Sequence, residues 1–359
     1  DGSHSMPYGR KNKENPYVEA FWKWWEAELQ FSLRELRVTG GEPTMSPDFW
    51  KLMDWWKDNP DCKVPFAVNS NLGQKKKLLD ALIDASHNIK KFSIYSSCEA
   101  VGLQAEYIRH GLDWSVWLKN MYRINKEANL ESVNVMMTIN SLCLFSITEF
   151  MDEMMQLKKV FGPHAAVMSF NILRFPSFQS IVTLPTDIRL ERAAVIEKWV
   201  NDHWNEGSNG FLDIERDGLL RLIEYIRKVD TGHEFTSSLE TRERDFKSFY
   251  QQYDKRRGKD FLKAFPELRA WYESIPDTNL TPLIKAIDGD DAKSNKYVTG
   301  VLQQAKDEGW VLNPQWTNPG SKGYIEPDEQ QQDDMIDLVA DLQKGRKKVS
   351  EVNKGKTAI

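Results

Sequence analysis

The chain has 359 residues, 40% hydrophobic and 28% charged, which suffices for one large α/β domain with an appendage or for two domains. Its net charge of −5 offers no basic field for nucleic acid, and no apolar run approaches the ~18 residues of a membrane-spanning helix. Thirteen tryptophans point to a core rich in aromatic rings.

Residues 1–6, Asp1 to Met6, read as an expression-tag remnant with no secretory signal behind it, and residues 7–15 as a polar loop. Asn15-Pro16 caps a helix with Val18, Phe21, Trp22, Trp25 and Leu29 at helical spacing, a core-facing stripe. Leu33, Leu36 and Val38 form a buried strand that ends at Gly40-Gly41-Glu42-Pro43. Ser46-Pro47 then starts a helix over 47–58 with Phe49, Leu52, Met53 and Trp56 on one face. A second strand, Val64 to Val68, ends in Asn69-Ser70-Asn71, and a helix carrying Leu78, Leu79, Leu82 and Ile83 follows. The third strand, Ile89 to Tyr95, ends in Ser96-Ser97-Cys98-Glu99. One long helix is expected over 104–127 and a fourth strand over Ser132 to Ile139, closing at Thr138 and Asn140. A helix over 147–160 leads to a fifth strand, Ala165 to Leu173, which closes on Arg174-Phe175-Pro176.

Five alternations of strand and helix predict a parallel sheet with right-handed crossovers, open or curled into a partial barrel. Each strand ends in residues able to hold a ligand, which favours a site along that edge. Glycines at such an edge let a ligand touch bare backbone, and Glu42 adds an acceptor for a cationic group such as an ammonium. From 186 the pattern is mainly helical, over 186–204, 213–229 and 239–255, the last with Phe246, Phe249, Tyr250 and Tyr253. The chain thus divides into a core at 7–185, a helical part at 186–275 and a loosely ordered extension at 276–359. That extension ends in a helix at 329–343 and a frayed basic tail.

Cys62, Cys98 and Cys143 are too few and too scattered for a disulfide framework, which points to a reducing, cytoplasmic setting. Cys98 reads as a small half-buried residue. His87, His110, His164, His203 and His233 show no metal spacing, and Asp288-Gly289-Asp290-Asp291 lacks the spacing of a calcium loop.

Gly40-Gly41-Glu42-Pro43 resembles the motif with which radical S-adenosylmethionine (SAM) enzymes hold the methionine amino group of SAM. The stretch from Ser93 to Trp114, with Ala105-Glu106-Tyr107-Ile108-Arg109 inside it, is similar to the strand-four region of the subgroup bearing a twitch domain. Asp254 to Leu268 looks like that subgroup's C-terminal helical segment. The resemblance spans residues 33–270 and implies a partial (β/α) parallel barrel of radical SAM type with a mainly helical C-terminal extension. It implies that Gly40, Gly41 and Glu42 hold the methionine amino group, and that Ser96 or Ser97 together with Arg109 contacts its carboxylate. A guanidinium suits a carboxylate, although Arg109 could equally form a helix-surface ion pair with Glu106 or Asp113. Asn69, Asn71, Thr138 and Asn140 would line the ribose and adenine side, loop capping being the alternative for each, and Leu173 would also be among the residues that bind SAM.

The family's CxxxCxxC loop binds a 4Fe-4S cluster whose remaining iron SAM chelates, and reduction yields a 5′-deoxyadenosyl radical that takes a hydrogen atom from substrate. No such cysteine cluster stands in this sequence. A lost segment carrying the first strand and the cluster loop is the preferred expectation, and a cluster-free SAM-fold binding protein the alternative. An active enzyme would draw electrons from a partner such as flavodoxin or ferredoxin, and its substrate is left open. A phosphate site at Gly40-Gly41 is disfavoured, since Glu42 would repel it.

Overall fold

The computed structural model describes residues 16–73, 76–204, 210–228 and 237–276. The tag remnant, the 7–15 loop and the extension from 277 onward, with its expected terminal helix, lie outside these. The chain divides into two compact units, Trp24–Asp277 and a second made of Asp1–Lys23 with Thr278–Ile359. Helix α1 (Pro16–Trp24) buries no side chain. In the larger unit a π-helical turn, Trp25–Leu29, precedes α2 (Gln30–Ser32). Only Trp25 and Leu29 of the expected apolar stripe are buried, while Val18, Phe21 and Trp22 are half-buried.

The sheet holds β1 (Leu36–Val38), β2 (Phe66–Asn69), β3 (Phe92–Ser96), β4 (Ser132–Ile139) and β5 (Val167–Ile172), all parallel and side by side in chain order. Between them run α3 (Pro47–Asp58), α4 (Lys76–Ser86), α5 (Gly102–Ile108), α6 (Trp114–Glu127) and α7 (Ile147–Phe161). The expected fold class of alternating strands and helices on a parallel sheet is therefore present. Phe49, Leu52, Met53 and Trp56 are the buried face of α3, as their spacing requires. Trp56 links Trp25 to the sheet, with ring centroids 5.5 Å from Trp25 and 4.7 Å from Phe66.

The register sorts the strands' side chains into two faces. Phe66, Val68, Phe92, Ile94, Ser96, Val133, Val135, Met137, Ile139 and Met168 lie on one face and are all buried. Arg37, Asn69, Tyr95, Asn134, Met136, Thr138, Ser169 and Asn171 lie on the other and are half-buried or exposed. Parallel sheets are ordinarily covered on both faces by apolar side chains. Here the second face carries mainly polar side chains that are half-buried or exposed, with Ala67 on the same face fully buried, among the described residues.

The single helix expected over 104–127 is two. Gly111 takes φ +86°, and the Asp113 carboxylate accepts the Val116 N–H at 3.0 Å, which starts α6 anew. Residues 109–113 thereby become a turn. After β5 come α8 (Thr186–His203), α9 (Asp213–Arg227), α10 (Leu239–Arg257), α11 (Phe261–Ala264) and α12 (Arg269–Ser274), in the same compact unit as the sheet. Phe246 and Tyr250 are the buried pair of the aromatic set on α10.

Two buried connections fix these helices. Lys158 on α7 meets Glu215 on α9 at 2.5 Å, both side chains fully enclosed, and Glu215 also accepts the N–H groups of Met168 and Leu212. At the other end the two stretches behind the family resemblance touch each other. Tyr107 on α5 donates to the Asp254 carboxylate at 2.7 Å, Lys259 donates to the Glu106 carbonyl and Gln104 to that of Ala264. Asp254 further accepts the Phe261 N–H at 2.8 Å, so one carboxylate ties α5, α10 and α11 together.

Candidate functional site

The residues expected to form a site stand at and beyond the carboxyl ends of the strands. Gly40 takes φ +135°, a backbone conformation that any other residue adopts only with strain, and it turns the chain out of β1. A Cβ added at Gly40 or Gly41 would meet nothing within 4 Å, so both glycines border open space. The Glu42 carboxylate is spoken for by its own chain. It accepts the Thr44 hydroxyl at 2.8 Å, the Ser70 hydroxyl at 3.0 Å and the Asn71 N–H at 2.7 Å. It thus clamps the end of β1 to the end of β2.

The other expected residues divide. Asn69 stands on the open face, where its side-chain N–H₂ approaches the Met136 sulfur at 3.7 Å and its Oδ1 is enclosed with no hydrogen-bond donor. Asn71 is exposed, and its Oδ1 accepts the Gly73 N–H in a tight turn. Ser96 is turned to the covered face and accepts the Trp117 indole N–H at 2.9 Å, so of the two serines only the half-exposed Ser97 is at the opening. Thr138 is exposed on the open face. Asn140 caps the 3-10 turn that follows β4, its Oδ1 accepting the Leu142 N–H at 2.8 Å. Leu173 is half-exposed, and its N–H extends the ladder to the Ile139 carbonyl.

Arg109 sits in the turn created by the helix break, and it pairs with neither expected helix partner. Asp113 caps α6, and Glu106 accepts the Trp114 N–H. The Arg109 guanidinium instead grips buried Glu99, Nε at 3.0 Å and Nη2 at 2.6 Å. Burial pushes the Glu99 carboxyl up, against the pull of Arg109. Burial, the largest single influence, disfavours the Arg109 cation, but the charge and the hydrogen bonds of Glu99, with Cys98 and Cys143 nearby, together outweigh it and raise Arg109.

Cys98 is fully buried, not half-buried as its setting in the sequence had indicated, because its side chain faces the covered interior. Burial, and next the charge of Glu99, push its thiol up to about 12. Cys143 is equally buried and its thiol is raised for the same two reasons. Cys62 is half-exposed in the segment before β2, at the amino-terminal edge. These three thiols do not fit an iron–sulfur cluster, which needs thiolates converging on one point. Among the described residues no group of three histidine, cysteine or carboxylate side chains could hold a metal ion. No helix among them is long and apolar enough to cross a membrane.

Compared with family models, with curated proteins and with solved structures, the chain matches none. The functional reading therefore rests on the residues themselves. The motif reading passed over Arg37, Tyr95, Asn134, Asn171 and Glu99. Arg37 lies over the Tyr95 ring, 3.9 Å from its centroid, and donates to the Tyr95 hydroxyl at 2.8 Å. A signal for four of them was present: polar residues at every second position of strands whose other positions are Val, Ile, Met and Phe.

Proposed function

We propose that this chain is the SAM-binding portion of a radical SAM enzyme, taking SAM across the carboxyl ends of β1 to β5. The observation that carries the reading is the polar open face of the sheet, which meets the bare backbone of Gly40 and Gly41 at its edge. Backbone carbonyls at Gly40 and Gly41 suit the methionine ammonium, with the fixed negative charge of Glu42 behind them. Neutral groups at Asn69, Asn71, Ser97, Thr138 and Asn171 suit the hydroxyls of a ribose and the ring nitrogens of adenine. Arg37, which also meets Glu35 at 2.9 Å, and Arg109, held by Glu99 at 2.6 Å, are cations suited to a carboxylate. The thiols present do not hold the 4Fe-4S cluster. In this reading it comes from cysteines outside the 359 residues, with flavodoxin or ferredoxin as electron donor. A cluster-free SAM-binding protein is the second reading, favoured by the scatter of the three cysteines.

Calorimetric titration with SAM tests the proposal. The parent chain should bind with modest affinity, and Gly41→Val should weaken binding at least about tenfold, a loss near 1.4 kcal/mol. Gly41 borders open space, so the new side chain intrudes on ligand and not on protein. Equal binding by both proteins would place the site elsewhere.

A further inference from the structure

The turn that closes β2 holds a leucine in the left-handed conformation. Leu72 takes φ +51°, the only positive φ outside glycine among the described residues. There the Cβ crowds the following carbonyl oxygen, and such strain persists only where the surroundings over-determine it. Three contacts do so. The Leu72 side chain is fully buried. Its N–H donates to the Ser70 hydroxyl at 3.2 Å, and its carbonyl accepts from the Asn120 side-chain N–H₂ at 2.8 Å.

Asn120 stands on α6, whose other buried side chains are Trp117, Met121 and Ile124. A buried amide in an apolar row is costly unless it finds a partner, and this one has found a carbonyl, which can only accept. Trp117, one turn earlier on the same face, donates to Ser96 at the end of β3. Through these two side chains α6 holds the ends of two neighbouring strands.

The far side of the turn reaches the glycines. The Ser70 hydroxyl that accepts from Leu72 donates to both Glu42 oxygens, at 3.0 and 3.2 Å. The Asn71 N–H donates to the same carboxylate at 2.7 Å. A continuous path, Asn120 to Leu72 to Ser70 to Glu42, thus runs from the covered side of the sheet to the end of β1.

We propose that Asn120 is a positioning residue for the Gly40–Gly41 turn, acting through Leu72, Ser70 and Glu42. Without its N–H₂ the Leu72 main chain keeps one of its two hydrogen bonds and relaxes from the left-handed region. The Ser70 hydroxyl and the Asn71 N–H then leave Glu42, and β1 is no longer clamped to β2. This geometric claim needs no ligand; its consequence for SAM affinity rests on the SAM reading.

Hydrogen–deuterium exchange of the ligand-free chain tests it, with Asn120→Ala against the parent and Ile124→Val, on the same buried face, as the control for loosened packing. Circular dichroism verifies the folds, and Asn120→Leu, branched like asparagine but without a donor, serves if the alanine variant does not fold. Amides of 39–45 and 69–72 should exchange about tenfold faster in the Asn120 variant alone, with 132–139 and 167–172 unchanged in both. In calorimetry the Asn120 variant should bind SAM at least about tenfold more weakly, and Ile124→Val as the parent does. Unchanged exchange at 39–45 in the Asn120 variant, or equal acceleration by Ile124→Val, would overturn the proposal. A parent chain that binds no SAM would overturn the SAM reading, and the exchange result would still decide the role of Asn120.

Discussion

Glu99 and Arg109 show how one buried charge depends on another. The folded-state value of the Glu99 carboxyl lies above the ordinary 4.5 because burial penalises its anion. A raised acid favours the fold below its ordinary value and loses that contribution as pH rises through the folded value. Arg109 offsets much of this loss in the native protein. Arg109→Met should therefore cost on the order of 3–5 kcal/mol near neutral pH, as for other half-broken buried pairs, and much less near pH 4, where Glu99 is protonated. Urea unfolding of parent and variant at the two pH values measures the difference. An equal deficit at both would show that Glu99 is not the group left stranded. The pairing could not be read from the sequence, because Arg109 lies on a helix surface only if 104–127 is unbroken. Gly111 and Asp113 carried the signal for the break, and the apolar periodicity on either side masked it.

At the scale of elements, the two stretches that resemble the twitch-bearing subgroup are a packing device. Tyr107 and Asp254 join α5 to α10, and Asp254 also caps the start of α11. That junction holds the end of α5, and hence the turn bearing Arg109, against the strand ends. Tyr107→Phe should cost about 1.5–3 kcal/mol, the usual worth of a hydrogen bond to a charged group. Asp254→Ala should cost more, since the Phe261 N–H loses its acceptor as well. A double-mutant cycle on thermal or urea unfolding checks the pair, and strict additivity would show that the contact contributes nothing. Strand and helix order was legible throughout the sheet, because each apolar run is short and bounded by turn residues. The strand starts were not: Leu33, Val64, Ile89 and Ala165 precede the paired segments, where apolar residues pack without joining the ladder. Lys158 and Glu215 are 57 residues apart, and only the packing of α7 against α9 brings them together.

Among the described residues, the larger unit is built on a parallel sheet with apolar packing on one face and mainly polar side chains on the other, and a glycine turn borders open space at its carboxyl edge. The alternation was legible in β4 and β5, where Asn134, Met136, Thr138, Ser169 and Asn171 interrupt apolar positions. Which side stayed uncovered was not, since that depends on where the helices after 185 pack. We propose that SAM occupies this edge. Hydrogen–deuterium exchange of the chain with and without SAM, resolved by peptide, tests it most directly. Exchange should slow only at 39–43, 69–73 and 138–141, with the amides of α12 unchanged. Protection absent from 39–43, or confined to segments away from the strand ends, would contradict it.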